Sequence, residues 1–236
     1  MKKANGRTLY MSMQARTIGK SLLCVAVGLT LVHVVCMVVW YKGVYPFDRW
    51  AYVAMFDLDR EQSFGTWFST MILIFASLLT LFHARNSGST SGRMHIYWWL
   101  LGIGFILLSM DEVVGLHETV NAVIRDSRWT TFGAILVLSM GVVFLPLLLI
   151  LPTRTRLLFL MAGVVYAGGA VGIEWLTWWH EDNNQLDTLA YTLWTALEEF
   201  MEMTGIILYI YALLAHIADI REETRLQLDF RPPSVS

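Results

Sequence analysis

The sequence predicts an all-α, polytopic membrane protein, a bundle of about six transmembrane helices with both termini in the cytoplasm. Three observations support this fold class. Only 15% of the 236 residues are charged and 56% are hydrophobic, whereas about a quarter of a typical soluble domain is charged. The apolar residues fall in runs of membrane-spanning length, and the basic residues concentrate on one side of these runs. The lipid bilayer is therefore the predicted surroundings of the protein.

Six apolar segments reach spanning length and are separated by short polar breaks. They are Ser21–Tyr41, Thr66–His83, His95–Val120, Thr131–Leu151, Leu157–Trp179 and Thr188–His216. The first segment is about 20 residues long and no cleavage signal follows it, so we expect a retained anchor helix. The predicted organisation is a basic cytoplasmic N-terminus (1–20), a six-helix transmembrane domain (21–216) and a charged cytoplasmic tail (217–236).

The distribution of basic residues sets the predicted orientation. If each segment crosses once and the N-terminus is inside, 12 of the 17 lysines and arginines face the cytoplasm and five face outside. This asymmetry follows the positive-inside rule. We therefore predict a multi-pass protein of a bacterial inner membrane, with both termini inside.

The longest connection is the first outer loop, Lys42–Gly65. It mixes aromatic residues such as Trp50 and Phe56 with acidic residues such as Asp57 and Asp59. Aromatic side chains anchor at the headgroup level, so the composition predicts a short interfacial helix on the outer leaflet. A lid over an outward-facing site is the alternative interpretation.

Charge and cysteine positions argue against a nucleic-acid partner and against a disulfide. A net charge of -2 gives no reason to expect nucleic acid as a partner, because nucleic acid requires a strongly basic face. Cys24 and Cys36 lie in one predicted helix, about 18 Å apart by helix rise, which is too far for a disulfide.

Acidic residues inside the predicted spans are the most informative feature. Seven of the 19 acidic residues lie there, and no lysine or arginine does; the seven are Asp111, Glu112, Glu118, Glu174, Glu198, Glu199 and Glu202. An ionised carboxylate at the bilayer centre costs about 3 kcal/mol even on lenient insertion scales. Protonation, a bound metal cation, or water with imidazolium must therefore compensate these groups. Hydrogen-bonded carboxyls that only join helices are the structural alternative.

Helical spacing predicts that these carboxylates converge. Asp111, Gly115 and Glu118 share one stripe of the third helix, and Glu198, Glu202 and Gly205 share one stripe of the sixth. The glycine in each stripe is expected to let another helix approach closely. By helix rise, Asp111, Glu198 and His33 lie about 12 to 15 Å below the outer ends of their helices. The predicted metal ligands are His33, Asp111, Glu112, His117, Glu118, Glu198, Glu199 and Glu202. Oxygen-rich ligands with one or two imidazoles suit Fe, Mn or Zn, and no other cofactor is predicted.

Several functions are compatible with such a site. The leading hypothesis is a metal-binding site, which in a di-metal form could act as an oxidase or hydrolase on a lipid-soluble substrate. A proton- or cation-coupled transporter, with the carboxylates as a relay, and an accessory subunit of a larger membrane complex or homo-oligomer are the alternatives.

Glu198–Gly205 also resembles the Glu-Glu-x-x-x-Arg motif of glutamate-type intramembrane proteases, with Met203 at the position of the arginine. The resemblance implies intramembrane proteolysis as a remote alternative.

Overall fold

The computed structural model describes residues 8–11, 14–43, 53–86, 92–116, 119, 129–183, 185–220 and 226–229. Within this part of the chain, six helices are long and apolar enough to cross a membrane. The predicted number of spans and the all-helical architecture are therefore confirmed.

The helices are bounded as follows: α1 Ala15–Tyr41, α2 Phe64–Asn86, α3 Gly92–Val114, α4 Trp129–Ile150, α5 Thr153–Ala167, α6 Glu174–Asp182 and α7 Leu189–Ile220. A π-helical segment, Gly168–Ile173, joins α5 to α6, so that these three pieces form the fifth span. Two short strands, β1 Thr8–Met11 and β2 Leu226–Asp229, pair in antiparallel fashion.

Local sequence explains where the helices begin and end. Ser63 precedes α2 and its Oγ accepts the backbone N–H of Thr66 at 3.2 Å, and Thr188 precedes α7 and accepts the N–H of Tyr191 at 3.3 Å. Both residues act as N-caps, which satisfy donors that the first turn leaves unpaired. Gly115 follows α3 with a φ of 59°, a left-handed conformation that commonly terminates helices.

The last helix is the centre of the bundle. In its most apolar stretch, 61% of the residues are buried, against 11% in α4. α7 packs on α1, α2 and α5, and α2 packs on α3. α4 contacts α5 and the π-helical segment but leaves large apolar side chains such as Leu138 and Val142 more than 70% exposed. Such a surface is suited to lipid.

Successive spans run in opposite directions. Thr155 at the start of α5 contacts His216 near the end of α7, and β1 pairs with β2. We call the end of the bundle where α1, α3 and α5 begin the terminus face and the other end the opposite face. Which face lies in the cytoplasm stays a prediction based on the basic residues.

The boundaries differ from the prediction at several points. α1 begins six residues earlier, at Ala15, and α7 extends four residues further, to Ile220. α3 ends at Val114 rather than Val120, because Gly115 breaks the helix. The segment between α1 and α2, which is predicted to lie outside and is called the first outer segment, is described from residue 53 to residue 63. The interfacial helix was predicted within Lys42–Gly65, and residues 44–52 of that range lie outside the described part.

Candidate functional site

A small cavity lies among α2, α3, α5 and α7. Its polar walls are Ser69, Glu112, Tyr166 and Glu202, and its apolar walls are Ile72, Leu73, Met203 and Ile206. We call it the acidic chamber. Its volume of about 10 Å³ leaves room for about one water molecule or ion. Two carboxylates from helices far apart in sequence therefore border a single, confined space.

Glycines bring the fifth span close enough to α7 to form this chamber. A Cβ atom at Gly205 would lie 2.7 Å from the backbone nitrogen of Tyr166. One at Gly169, in the π-helical segment, would lie 2.8 Å from the carbonyl oxygen of Glu198 and 3.0 Å from Cγ of Glu202. All three distances are shorter than ordinary van der Waals contact, so only glycine permits this approach. The predicted role of Gly205 as a close-contact residue is confirmed.

The π-helical segment contributes to the same geometry. It contains Gly168, Gly169 and Gly172 and follows directly on the α5 turn that carries Tyr166. π-helical turns inside α-helices occur frequently at functional sites. Here the wider turn lies against the part of α7 that carries Glu198, Met201 and Glu202.

The in-span carboxylates interact with one another electrostatically. Glu202 interacts with Glu112, Glu198, Glu174 and Asp111. All of these groups carry the same sign when ionised, and like charges in a low-dielectric interior repel strongly. The acidic residues of α3 and α7 thus face one interior.

Glu199, also on α7, belongs to the same group of interacting carboxylates. Glu199 interacts electrostatically with Glu202, Glu112 and Glu198, and also with Asp59 of the first outer segment. Asp59 and Glu198 both interact with Tyr191 as well. The outer segment therefore lies next to the acidic end of α7, on the opposite face.

The helix that carries Asp111 and Glu112 is shorter than predicted. The expected stripe of Asp111, Gly115 and Glu118 requires a continuous helix through residue 118, whereas α3 ends at Val114. The left-handed conformation of Gly115 redirects the chain after Asp111 and Glu112. The predicted ligands His117 and Glu118 lie outside the described residues.

His33 lies against the first outer segment. It is fully buried, and its Nδ1 accepts the backbone N–H of Leu58 at 3.0 Å. Its Nε2 lies 3.5 Å from the carbonyl oxygen of Thr192, and Nδ1 also lies 3.3 Å from the carbonyl oxygen of Phe56. Because backbone groups engage both ring nitrogens, a metal could bind His33 only after displacing one of them. The depth argument from the sequence did not anticipate these partners.

Asp57 borders the same histidine. Its Oδ1 lies 3.6 Å from Nδ1 of His33 and accepts the backbone N–H of Asp59 at 3.3 Å. Burial raises the pKa of Asp57, although His33, the Asp59 N–H and Arg60 oppose the change. The first outer segment is thus folded onto α1 through buried polar contacts.

The described part of the chain provides few side chains arranged as metal ligands. No group of three or more His, Cys, Asp or Glu side chains among those residues is arranged to hold a metal ion. The acidic chamber offers two carboxylates and two hydroxyls, which is an all-oxygen set. Met203, at the arginine position of the protease motif, lines the chamber with an apolar side chain.

Sequence reasoning missed two polar walls of the chamber. Tyr166 and Ser69 lie in apolar runs, where a single hydroxyl gives no periodic signal. Tyr166 interacts electrostatically with Glu202, Glu112, Asp111 and Glu199. Tyr166 could have been placed beside these carboxylates only with knowledge that α5 packs on α7 at Gly205.

Comparison with known proteins places the sequence in one family. A family model with the description "Domain of unknown function (DUF8692)" matches residues 22–217. This range contains nearly all of the six spans and every residue of the acidic chamber. No curated protein and no solved structure matches the sequence.

Proposed function

The chain belongs to the DUF8692 family, a domain of unknown function, and we propose that it binds a metal cation in the acidic chamber within the membrane. One observation carries the proposal. Glu112 of α3 and Glu202 of α7 line the same small cavity, together with the hydroxyl-bearing side chains of Tyr166 and Ser69.

Charge balance supports a cation. The six spans contain no lysine or arginine among their apolar stretches, whereas the carboxylates around the chamber interact with one another. Two ionised carboxylates in a confined, weakly polar space repel each other unless a positive charge lies between them. A bound cation would convert this repulsion into two attractive contacts.

The donor set favours a hard cation. Carboxylate and hydroxyl oxygens suit Mn²⁺ better than Zn²⁺. Such an ion would neutralise the chamber and could polarise a small oxygen-containing molecule there. A single ion is proposed, because two carboxylates are fewer than the ligands of a di-metal centre.

Metal content after purification tests this proposal. We expect protein purified in a mild detergent to contain about one transition-metal ion per chain by mass spectrometry. Chelator-stripped protein should rebind Mn²⁺, and Glu202→Gln or Glu112→Gln should weaken this binding more than tenfold. Acidification should also release the ion, since ligating carboxylates must be deprotonated.

Glu61→Gln is the matched control, because it removes the same charge from an exposed position of the outer segment. Thermal unfolding of each variant establishes that it is folded. Metal-free wild type that does not rebind Mn²⁺, or unchanged affinity in folded Glu202→Gln, would refute a metal site in the chamber.

Proton transfer across the membrane is the second candidate. It is favoured by the spacing of polar side chains along α7: Glu202, Tyr209 and His216 are each seven residues apart and therefore lie on one face. Tyr209 contacts the hydroxyl of Thr80 at 2.7 Å, and His216 lies 3.3 Å from the hydroxyl of Thr155. Three polar layers thus follow one another through the bundle, about 10.5 Å apart along the helix.

The middle layer, formed by Tyr209 and Thr80, decides whether protons could pass. Tyr209 packs on Phe105 and Phe159, with ring centroids 4.6 and 4.9 Å away. A relay would need water to enter this aromatic layer, because direct transfer does not reach across 10 Å. Proton flux into liposomes under an imposed potential should fall in Tyr209→Phe and persist in Tyr211→Phe; no flux in the wild type would exclude this candidate.

A further inference from the structure

A group of buried ring side chains lies at the terminus face, away from the acidic chamber. The imidazoles of His83 on α2 and His216 on α7 lie with centroids 5.6 Å apart. The indole of Trp98 on α3 lies 4.5 Å from His83 in a T-shaped arrangement and 6.2 Å from His216 with the ring planes 21° apart. We call His83, Trp98 and His216 the histidine layer.

The layer is enclosed but close to the aqueous boundary. His83, His216 and Trp98 are each exposed by less than 10%. By helix rise, His83 lies about 5 Å and His216 about 6 Å from the ends of their helices. A proton can therefore reach the layer from the terminus face without crossing the membrane interior.

Each packed element contributes to the electrostatics of the layer. Thr155 of α5 places its hydroxyl 3.3 Å from Nδ1 of His216. Asp219, near the end of α7, interacts electrostatically with His216, and its Oδ2 lies 3.8 Å from Nη1 of Arg154 on α5. The aspartate favours a positive charge on the layer, whereas the arginine partly cancels that effect.

We propose that the histidine layer is a proton-binding site in which His83 and His216 together hold a single proton. Two imidazolium rings 5.6 Å apart would repel each other inside the bundle, so binding of the first proton opposes the second. The indole of Trp98 contacts both rings and attracts an imidazolium through its π-face. The site therefore stabilises one positive charge and disfavours two.

This site is independent of the acidic chamber. Glu202 and His216 are 14 residues apart on α7, about 21 Å by helix rise. The layer joins the ends of α2, α3 and α7, and Thr155 connects α5 to it. Uptake of one proton would therefore act on the packing of four spans at the terminus face, whether or not the chamber binds a metal.

Histidine titration by NMR tests the proposal on the full-length protein in lipid nanodiscs. With ¹³C- and ¹⁵N-labelled histidine, the sequence has six histidine signals, and single His→Gln variants assign them. We expect the His83 and His216 signals to titrate in two steps whose midpoints are at least one pH unit apart. In His216→Gln, the remaining His83 should titrate in one step with a midpoint moved by at least half a unit.

Two matched controls separate a shared proton from a general effect. His95→Gln should leave both midpoints unchanged, because His95 pairs with Trp99 instead. Trp98→Phe should lower the first midpoint, since phenylalanine attracts a cation less than indole, and Trp99→Phe should not.

The wild-type titration decides the question even if His216→Gln does not fold. Equal midpoints for His83 and His216 would overturn the proposal, as would a His83 midpoint that does not move in folded His216→Gln. Stoichiometric Zn²⁺ that shifts both signals at neutral pH would also overturn it, and would assign the pair to a metal instead.

Discussion

Gly205→Ala is the sharpest test of how the fifth span and α7 form the chamber. The added Cβ would lie 2.7 Å from both Cβ and the backbone nitrogen of Tyr166, and 2.9 Å from the carbonyl oxygen of Ala162. Two of these atoms belong to the α5 backbone, so no side-chain rotation can relieve the contact. The two helices must move apart.

The size of the effect follows from these distances. Relaxing the shortest contact to about 3.5 Å requires a separation of about 0.8 Å. Overpacking of this kind costs about 1–3 kcal/mol, and the better helix propensity of alanine returns at most about 1 kcal/mol. We therefore expect a net loss of unfolding free energy of about 0–3 kcal/mol relative to wild type, and of about 1–3 kcal/mol relative to a Gly→Ala variant without the overpacking. Mn²⁺ affinity should fall as well, since Tyr166 moves away from Glu202.

Thermal unfolding in one detergent, followed by tryptophan fluorescence, measures the loss. Gly104→Ala is the matched control, because an added Cβ there meets no atom within 4 Å. The control should be as stable as the wild type or slightly more stable. If Gly205→Ala unfolded at the same temperature as Gly104→Ala, the close contact between α5 and α7 would not exist as described.

Three further predictions concern the middle layer, the outer segment and the orientation. Thr80→Val should cost about 1–3 kcal/mol, because it leaves the buried hydroxyl of Tyr209 without its partner. Tyr209→Phe should cost less, since Thr80 Oγ1 still donates to the carbonyl of Ala76 at 2.7 Å; equal unfolding temperatures of the two variants would contradict this. Asp57, whose pKa is raised in the folded protein, binds a proton more readily when folded, so the stability that it contributes falls as pH rises above its ordinary value of 3.8. Asp57→Asn should therefore gain stability relative to wild type as pH rises from 4 to 7, and thermal unfolding that shows the opposite trend would count against burial as the dominant cause. Cysteine tags at Asn183 should be labelled from outside the cell, and tags in the loop 87–91 or at the C-terminus only after permeabilisation; an external C-terminus would refute the predicted orientation.

Composition and periodicity were sufficient for the architecture. Runs of spanning length identify helices because hydrocarbon requires each backbone polar group to be paired within its own segment. The same reasoning located the unusual carboxylates, since any acidic residue in such a run is conspicuous. It also identified Gly205 as a close-contact position, because small residues permit helix approach.

The prediction of helix register failed where the backbone leaves the α-helical conformation. The stripe from Asp111 to Glu118 assumed regular 3.6-residue periodicity, whereas α3 ends at Val114, next to the positive φ of Gly115. A glycine in an apolar run can either continue a helix or end it, and periodicity does not distinguish the two. The π-helical segment at Gly168–Ile173 has the same origin, because its glycines allow a wider turn that α7 then packs against.

The sequence by itself determined that this protein has six spans and an excess of acidic over basic residues within them, since both properties depend on the transfer of residues from water to lipid. Only the tertiary structure decided which polar groups meet. His33 was predicted at the depth of the carboxylates, yet it binds the outer segment, whereas Tyr166 and Ser69 lie beside Glu112 and Glu202. Depth in the membrane is a property of one helix, but the neighbours of a side chain depend on how each helix is rotated and which helix packs against it.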